Sequence, residues 1–210
     1  MIIKMFTFGR YFANCYVVAC EETKEAAIID PTFDSKTEAE EILRVINQLG
    51  LSVKYIINTH GHPDHTAGNG IMKKATGASI LIHEDDVPML ARAKNLAVLF
   101  GFRSTTPPAD STLHDGDVIK VGNFELKVLH TPGHTKGGIS LLVDDVVFTG
   151  DTLFAGSIGR TDFPGGSFKE IINSIKTRLL TLPDHVKVYS GHGPISVIGE
   201  ERKHNPFLQT

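Results

Sequence analysis

Three histidines and one aspartate occur within six consecutive positions of this 210-residue chain. They lie in the segment "NTHGHPDH" and are His60, His62, Asp64 and His65. His60 and His62 are two positions apart, so they cannot share one face of a helix, and packing gives no reason for an imidazole at both positions. Imidazole and carboxylate groups are the ligands that zinc and similar divalent ions bind in proteins. The segment therefore predicts a metal site.

Three more ligand-type side chains follow apolar, strand-like segments in the same way that His60 follows "YIINT". His134 comes after "KVLHTPG", Asp151 after "VVFTG" and His192 after "KVYSG". Side chains on loops at the ends of neighbouring strands converge, and a rigid sheet fixes their geometry. The set holds seven ligand-type groups, whereas one zinc ion takes about four. Two divalent ions that share one bridging carboxylate would use all seven.

Other residues carry weaker signals. An isolated histidine is usually structural or solvated. We expect this for five residues, which are His83, His114, His130, His185 and His204. Asn14 and Tyr16, in an early strand, are also expected to be structural.

The residues around Asp151 allow more than one interpretation. Arg160 lies in a glycine-rich loop after Asp151 and would either contact a substrate carboxylate or form an ion pair with Asp162. Phe154 and Phe163 are expected in the core rather than in a pocket, because core packing is the commoner environment of a phenylalanine.

The bulk composition limits the class of protein. Hydrophobic residues make up 41% of the chain and charged residues 21%, and no apolar stretch approaches the roughly 18 to 20 residues of a membrane-spanning helix. The net charge is −3 and the 21 lysines and arginines are scattered, which disfavours nucleic-acid binding through a basic face. A small-molecule partner is therefore expected, with neither nucleic acid nor membrane. Both a monomer and a small homo-oligomer remain open.

The first residues and the two cysteines indicate the compartment. The amino-terminal apolar run is broken by the turn residues Gly9 and Asn14, where a secretory signal would continue. Cys15 and Cys20 are five positions apart in one predicted strand, so their side chains point to opposite faces and do not easily bridge. We therefore expect two buried thiols and a cytoplasmic protein.

The predicted elements alternate between strands and helices. Short strands fill residues 2–30, and the capping box of Ser35 with Glu38, ended by Gly50, predicts a helix. A helix from about Thr66 to Thr76 follows the histidine cluster. Residues 84–95 look helical, and the loop 102–110 is the expected place for a mobile segment over a site.

The second half repeats this arrangement. Strands return from residue 116, a helix capped by Ser167 follows, and a last strand at 186–190 precedes the tail. Two β-rich halves that each end in helices predict two sheets packed face to face, with helices outside. No linker interrupts them, so residues 1–210 are expected to form a single domain.

The motifs "THGHPDH", "TPGHT", "TGD" and "SGHG" together resemble the metallo-β-lactamase superfamily over nearly the whole chain. The resemblance implies an α/β (α+β) fold, a four-layer αβ/βα sandwich of two mixed sheets with helices on the outer faces. It also implies two ligand sets, joined by Asp151 as the bridge. They are His60, His62 and His134 for one ion, and Asp64, His65 and His192 for the other. Zinc is the expected ion, with iron or manganese as alternatives.

Within the superfamily the chain looks most like the glyoxalase II group, the hydroxyacylglutathione hydrolases. The segments "GDTLFAGSIGRTDFPGGS" and "GHGPISVIGEERKHNPFL" are typical of the short bacterial form. Full-length members carry a further C-terminal helical domain, whereas this chain ends 18 residues after His192. The implied reaction is hydrolysis of an S-acylglutathione-type thioester, such as S-lactoylglutathione, by a hydroxide that bridges the two ions.

The resemblance also suggests roles for individual residues. Asp64 and Asp151 would be catalytic, because they would orient the hydroxide as well as bind metal. Two dications, two aspartates and one hydroxide sum to about +1, which favours an anionic substrate. Arg160 would add a contact to a substrate carboxylate.

One segment supports a different reaction. "GRTDF" stands where glyoxalase II enzymes carry a lysine and a tyrosine that hold the thiol, and it is similar to the segment of persulfide dioxygenases. Those enzymes use a single iron, whose ligands here would be His60, His134 and Asp151. Lactam hydrolysis is disfavoured, because β-lactamases of the superfamily often carry a cysteine at the position of Asp151. A phosphodiesterase of the tRNA-processing kind is disfavoured by the scattered basic residues.

Overall fold

The computed structural model describes residues 1–92, 97–98, 101–102 and 106–209, and its first sheet has six strands. In spatial order they are β1 (Ile2–Phe8), β2 (Ala13–Ala19), β3 (Glu25–Ile29), β4 (Ser52–Ile57), β5 (Ser79–His83) and β6 (Ser111–Leu113). β1, β2 and β3 pair antiparallel, whereas β3 to β6 run parallel. Parallel strands end at the same edge, so the loops after β3, β4 and β5 emerge side by side.

The second sheet also has six strands, in the order β14-β13-β10-β9-β8-β7. They are β7 (Val118–Val121), β8 (Phe124–His130), β9 (Ile139–Val143), β10 (Val146–Gly150), β13 (Lys187–Ser190) and β14 (Ser196–Val197). β10 and β13 are parallel, and β8 is antiparallel to β9, which is antiparallel to β10. The loops after β8, β10 and β13 therefore leave the same edge. A small hairpin of β11 (Leu153–Phe154) and β12 (Ser157–Ile158) follows β10.

Six short or medium helices whose bounds fall within the described residues connect and cover the sheets. They are α1 (Lys36–Leu49), α2 (Pro63–Thr66), α3 (Asn69–Thr76), α4 (Val87–Ala91), α5 (Phe168–Ser174) and α6 (Ile198–His204). A 3-10 turn at Glu84–Asp86 leads into α4, and a π-helical turn at Ile175–Leu179 continues α5. Among the described residues, no helix is long and apolar enough to cross a membrane.

Three buried clusters separate four layers. The central cluster joins the two sheets, with Val18 and Ile29 facing Leu126 and Phe148. A second cluster packs the helices α1 and α3 against the first sheet, and a third packs α5 and α6 against the second sheet. This confirms the predicted αβ/βα sandwich, in which the strand ends share the edge between the two sheets.

Helix α1 begins and ends where its caps predict. The Ser35 hydroxyl accepts a hydrogen bond from the backbone N–H of Glu38 at 3.2 Å, and Gly50 has the left-handed φ of +65° that ends the helix. The Glu38 carboxylate also accepts from the backbone N–H of Gly9 at 3.0 Å. The cap thereby holds the turn between β1 and β2.

The helix predicted from about Thr66 to Thr76 is confirmed in its end at Gly77, but it begins at Asn69, because the chain forms two helices that are interrupted at Gly68. The backbone N–H of Gly68 donates to Pro31 at 2.9 Å, and a Cβ at this position would stand 2.8 Å from the Phe33 ring. This close contact with the loop after β3 redirects the chain. It sets His65 in the separate helix α2.

Other expectations need smaller corrections. The strand β6, the β11–β12 hairpin and helix α6 were not predicted, because each is short or lies in the tail. The helical segment at 84–95 ends at Ala91 in the described part, and its residues 93–95 lie outside the described residues, as do residues 103–105 of the proposed mobile loop. Cys15 and Cys20 are free and buried, as expected.

Candidate metal centre

All seven predicted ligand-type side chains meet at the edge between the two sheets. The ligand atoms of His60, His62 and His134 lie within 4.8 Å of one another, and so do those of Asp64, His65 and His192. His62 Nδ1 is 2.9 Å from His134 Nε2, and His65 Nε2 is 3.3 Å from His192 Nε2. The sets that the sequence suggested therefore form two compact groups.

Asp151 lies between these two groups. Its Oδ2 is 3.5 Å from His134 Nε2 and 3.5 Å from His192 Nε2, and its Oδ1 is 3.4 Å from His65 Nε2. A Cβ at Gly191, next to His192, would collide with the Asp151 carboxylate and with His65. Glycine at this position lets the last strand bring its ligand against the others.

The donor atoms fit a divalent cation. His60 Nε2 and Asp151 Oδ1 are buried and have no hydrogen-bond partner among the described residues, although buried polar atoms are nearly always paired. The rings of His60, His62 and His134 meet at angles of 74° to 86°, so their in-plane lone pairs can converge on one point. The unpaired atoms and the converging nitrogens are what a metal ion would satisfy.

A second group of possible ligands does not show this convergence. The ligand atoms of His83, Asp85 and His130 also lie within 4.8 Å. However, the two rings stack at 4.1 Å with only 8° between their planes, so their lone pairs run parallel. His130 Nε2 also donates to the Lys136 carbonyl at 2.8 Å. This geometry agrees with the structural role expected for these histidines.

Second hydrogen bonds orient the ligand imidazoles. His134 Nδ1 donates to the carbonyl of Arg160 at 2.7 Å, and His192 Nδ1 donates to the carbonyl of Tyr11 at 3.0 Å. In each ring the proton on Nδ1 leaves Nε2 with its lone pair towards the centre. Both rings are therefore set in the tautomer that binds a metal through Nε2.

Asp30 is a site residue that the sequence reasoning missed. It is 1% exposed and accepts hydrogen bonds from the backbone N–H and hydroxyl of Thr59 at 2.8 and 2.6 Å. The Thr59 hydroxyl in turn lies 3.1 Å from His60 Nδ1. Asp30 directly follows the strand β3, so the strand-end rule that selected the ligands would have found it. Its φ of +49° shows a backbone held in the left-handed region.

Asp86 is a second missed residue, and it ties two ligand loops together. It is 1% exposed, and its Oδ2 accepts from the backbone N–H of Gly61 at 2.9 Å and from the Thr135 hydroxyl at 2.8 Å. Its Oδ1 accepts from the backbone N–H of Gly137 at 2.8 Å. Gly61 lies between two ligand-type histidines and Thr135 follows a third. One carboxylate thus links loops from both sheets.

Asn14 and Tyr16 are structural, as expected, and they hold the loop of His192. The Asn14 amide donates to the carbonyls of Ser190 and Gly193 at 3.0 and 2.9 Å, and the Tyr16 hydroxyl donates to the Ser190 carbonyl at 2.5 Å. Strand β2 of the first sheet therefore positions the ligand that the second sheet carries.

The electrostatics differ between the two groups of ligands. Burial and the neighbouring His134 lower the pKa of His62 to about 4, and burial lowers the pKa of His60. Burial would also lower the pKa of His65, but the charges of Asp151 and Asp64 and the bond to Asp30 outweigh it and raise that pKa to about 10. His60 and His62 are thus neutral at pH 7, whereas His65 carries a proton until a cation replaces it.

The centre forms the floor of an open pocket of about 330 Å³. Phe154 meets His192 edge-on at 6.1 Å, and Phe163 meets His62 edge-on at 5.6 Å. Both phenylalanines are half-buried and line the pocket, so the expectation that they belong to the core is wrong. The hairpin β11–β12 and the loop after it turn these rings back towards the ligands.

Arg160 lines the same pocket and pairs with Asp162. Its guanidinium forms two hydrogen bonds with the Asp162 carboxylate, at 2.7 and 2.6 Å, and lies 3.9 Å above the centre of the Phe163 ring. The hydrogen bond from Arg160 lowers the pKa of Asp162 to about 2. The ion pair that the sequence left open is therefore formed, at the mouth of the pocket.

A family comparison agrees with this geometry. The model of the metallo-beta-lactamase superfamily matches residues 8–192. The chain belongs to the metallo-β-lactamase superfamily. Membership implies divalent metal ions at the centre, and it implies a hydrolase of this superfamily.

Relatives within the superfamily match over the full length. Hydroxyacylglutathione hydrolase GloC of Haemophilus influenzae is 37% identical over 219 residues, which covers 100% of this chain and 99% of the relative. The solved BLEG-1 B3 metallo-beta-lactamase is 35% identical with a TM-score of 0.90, over 100% of both chains.

Two further solved structures are similar to the chain over nearly its whole length. TTHA1623, solved in a di-iron-bound form, is 34% identical with a TM-score of 0.86 and covers 98% of this chain and 100% of its own. ETHE1 from Myxococcus xanthus is 30% identical with a TM-score of 0.83, over 98% of this chain and 84% of its own.

Proposed function

We propose that the protein is a metal-dependent thioesterase that cleaves S-acylglutathione-type thioesters such as S-lactoylglutathione. The observation that carries the proposal is the convergence of seven ligand-type side chains around Asp151. The full-length similarity to hydroxyacylglutathione hydrolase GloC supports the choice of substrate class. We further propose a cytoplasmic enzyme whose partner is a small anionic thioester, without nucleic acid or membrane.

The ligands divide between two ions in this proposal. His60, His62 and His134 would hold one ion, Asp64, His65 and His192 the other, and Asp151 would contact both. Zinc is the proposed ion, and the di-iron form of TTHA1623 supports iron as an alternative. When bound, the two ions lower the pKa of water and polarise the substrate carbonyl.

The chain's own carboxylates would orient the reactants. Burial alone would raise the pKa of Asp64, but His65 and His192 outweigh it and lower that pKa, so this carboxylate stays ionised and accepts hydrogen bonds. With Asp151 on the other side, it would hold the attacking water in one orientation. A thiol has a pKa of about 8.5, so the leaving group departs as a thiolate and needs no strong acid to protonate it. Arg160 would receive a substrate carboxylate at the pocket mouth.

A second candidate is a mononuclear-iron persulfide dioxygenase with His60, His134 and Asp151 as ligands. The similarity of "GRTDF" at 159–163 supports it, and the likeness to ETHE1 keeps it open. The hydrolase has the better support, because the site offers seven ligand-type groups where one iron would need three from the protein.

Metal analysis combined with activity assays tests the proposal. The purified protein is analysed for metals and assayed with S-lactoylglutathione, with glutathione persulfide under oxygen monitoring, and with a chromogenic cephalosporin, because BLEG-1 shares the fold. We expect about two ions per chain and rapid thioester hydrolysis. One iron per chain with oxygen uptake on the persulfide would overturn the hydrolase in favour of the second candidate, and cleavage of the cephalosporin alone would overturn both.

A further inference from the structure

A second cavity opens beside the metal pocket and is about 720 Å³ in volume. We call it the outer cavity. It lies between the segment Glu84–Arg92 and the loop Phe163–Gly165, and it shares His62 and Phe163 with the metal pocket. Cavities of about 300 to 1,000 Å³ accommodate small ligands. A substrate bound at the metal centre would therefore continue into this space.

The inner wall of the outer cavity is apolar and packs against the metal-binding segment. Pro88, Met89 and Pro164 line it together with Phe163. A Cβ at Gly61 would stand 2.9 Å from Met89 Cβ, so Met89 directly covers the turn between the first two ligand-type histidines. The carbon chain of a ligand would lie along this wall.

Two cations on the outer side, Lys136 and Arg92, have no ion-pair partner among the described residues. The acids of the lining are engaged by the protein. Glu84 lies 3.5 Å from His114 Nε2, Asp85 lies 3.8 Å from His83 Nδ1, and both oxygens of Asp86 accept hydrogen bonds from the ligand loops. The three acids of the lining thus each have a partner within the protein, whereas its two cations have no ion-pair partner among the described residues.

The position of Lys136 is set by its backbone. Its carbonyl accepts from His130 Nε2 at 2.8 Å, and the next backbone N–H, that of Gly137, donates to Asp86 at 2.8 Å. Its side chain passes Gly165, where an added Cβ would stand 3.7 Å from Lys136 Cγ. These contacts hold the backbone of Lys136 in the lining of the outer cavity, two residues after His134.

We propose that the outer cavity binds the carboxylate-bearing end of the thiol part of the substrate, and that Lys136 and Arg92 pair with its carboxylates. This inference rests on the proposed function for the scissile thioester. The inference adds to that function a subsite that selects substrates with an anionic, peptide-like thiol part over substrates with a neutral one. Charge-assisted contacts from two cations are stronger than neutral hydrogen bonds, and their loss is expected to weaken binding about tenfold.

Calorimetry with S-methylglutathione tests the inference, because this thioether keeps the glutathione carboxylates and has no scissile bond. The metal-loaded double variant Lys136→Gln/Arg92→Gln should bind about tenfold more weakly than the wild type, at equal metal content. The control Lys120→Gln removes an exposed cation of β7 and should bind as the wild type does. An unchanged Kd in the double variant, or no binding by the wild type, overturns the inference.

Hydrolysis assays separate this inference from the proposed function. In the double variant, the KM for S-lactoylglutathione should rise about tenfold relative to the KM for neutral S-lactoyl-N-acetylcysteamine. An equal change in the two KM values counts against the subsite. If S-methylglutathione binds through the two cations while neither thioester is hydrolysed, the subsite stands and the thioesterase proposal fails.

Discussion

Asp30 Oδ2 lies 3.0 Å from His65 Nδ1, and both side chains are buried. The carboxylate therefore fixes the proton of this imidazole on Nδ1 and turns Nε2 towards Asp151. It also accepts from Thr59, whose hydroxyl contacts His60. One buried aspartate thus orients a ligand-type histidine in each of the two groups.

Asp30→Asn should weaken metal binding at the group of Asp64, His65 and His192. One carboxylate oxygen becomes an amide NH₂ that faces a donor, so the ring of His65 loses its fixed orientation, and such partners are typically worth about 10- to 100-fold in metal affinity. Zinc titration against a competing chelator measures the effect. The control Asp145→Asn, at the exposed pair with His185, should keep wild-type affinity. Equal affinities in both variants would contradict the role of Asp30.

His134→Ala and His130→Ala should behave differently although they are four positions apart. His134 Nε2 faces His62 Nδ1 and Asp151, so its loss should reduce the metal content from about two ions to about one and strongly reduce thioesterase activity. His130 stacks on His83 away from this centre, so the His130→Ala variant should retain both ions. Metal analysis of the two purified variants measures this. Unchanged metal content and rate in His134→Ala would show that the proposed metal sites are wrong.

Asp86→Asn should loosen the loops that carry His62 and His134. The amide cannot accept from all three donors that the carboxylate binds, and an unsatisfied buried donor costs about 1 to 3 kcal/mol. We expect a lower free energy of unfolding and about tenfold weaker binding of one ion, visible in the absorption spectrum of the cobalt-substituted protein. The neighbouring Asp85→Asn, at an exposed carboxylate, is the matched control. A cobalt spectrum identical to that of the wild type would argue against a positioning role.

Metal binding should release a proton at the group that contains His65. The pKa of His65 is raised from 6.5 to about 10 in the metal-free protein, so at pH 7 the ring is charged and the ion must displace its proton. Affinity at this group should rise between pH 6 and 8 by about tenfold per unit for one proton. His60 and His62 in the other group should release no proton over this range, because burial lowers the pKa of His60 and the pKa of His62 is about 4.

Calorimetry in buffers of different ionisation enthalpy measures the number of protons released on metal binding. Two pH-independent binding steps would contradict the assignment of the proton to His65.

The raised pKa of His65 also affects the stability of the metal-free protein. Because the folded pKa is raised, the contribution of charged His65 is complete below pH 6.5 and is lost as the pH rises through about 10.

The convergence of the ligand-type residues was predictable because their signal is local. Each ligand-type residue follows an apolar strand in the sequence, and neighbouring parallel strands bring their ends together. The helix α1 was predictable for a similar reason, since Ser35, Glu38 and Gly50 set its ends within one short segment. In contrast, the interruption at Gly68 depends on contact with Pro31 and Phe33, which lie 35 to 37 positions earlier.

The sequence by itself determined the fold of this protein and the donor types of its candidate metal site, because donor types, strand ends and helix caps are all encoded over short distances along the chain. Only the tertiary structure decided which histidine nitrogen faces the centre, that Asp30 contacts His65, and that Asp86 joins two ligand loops. The outer cavity beside His62 is likewise visible only in the tertiary structure. These features depend on contacts between residues far apart in sequence, such as Asp86 with Gly137, which exist only once the two sheets have packed.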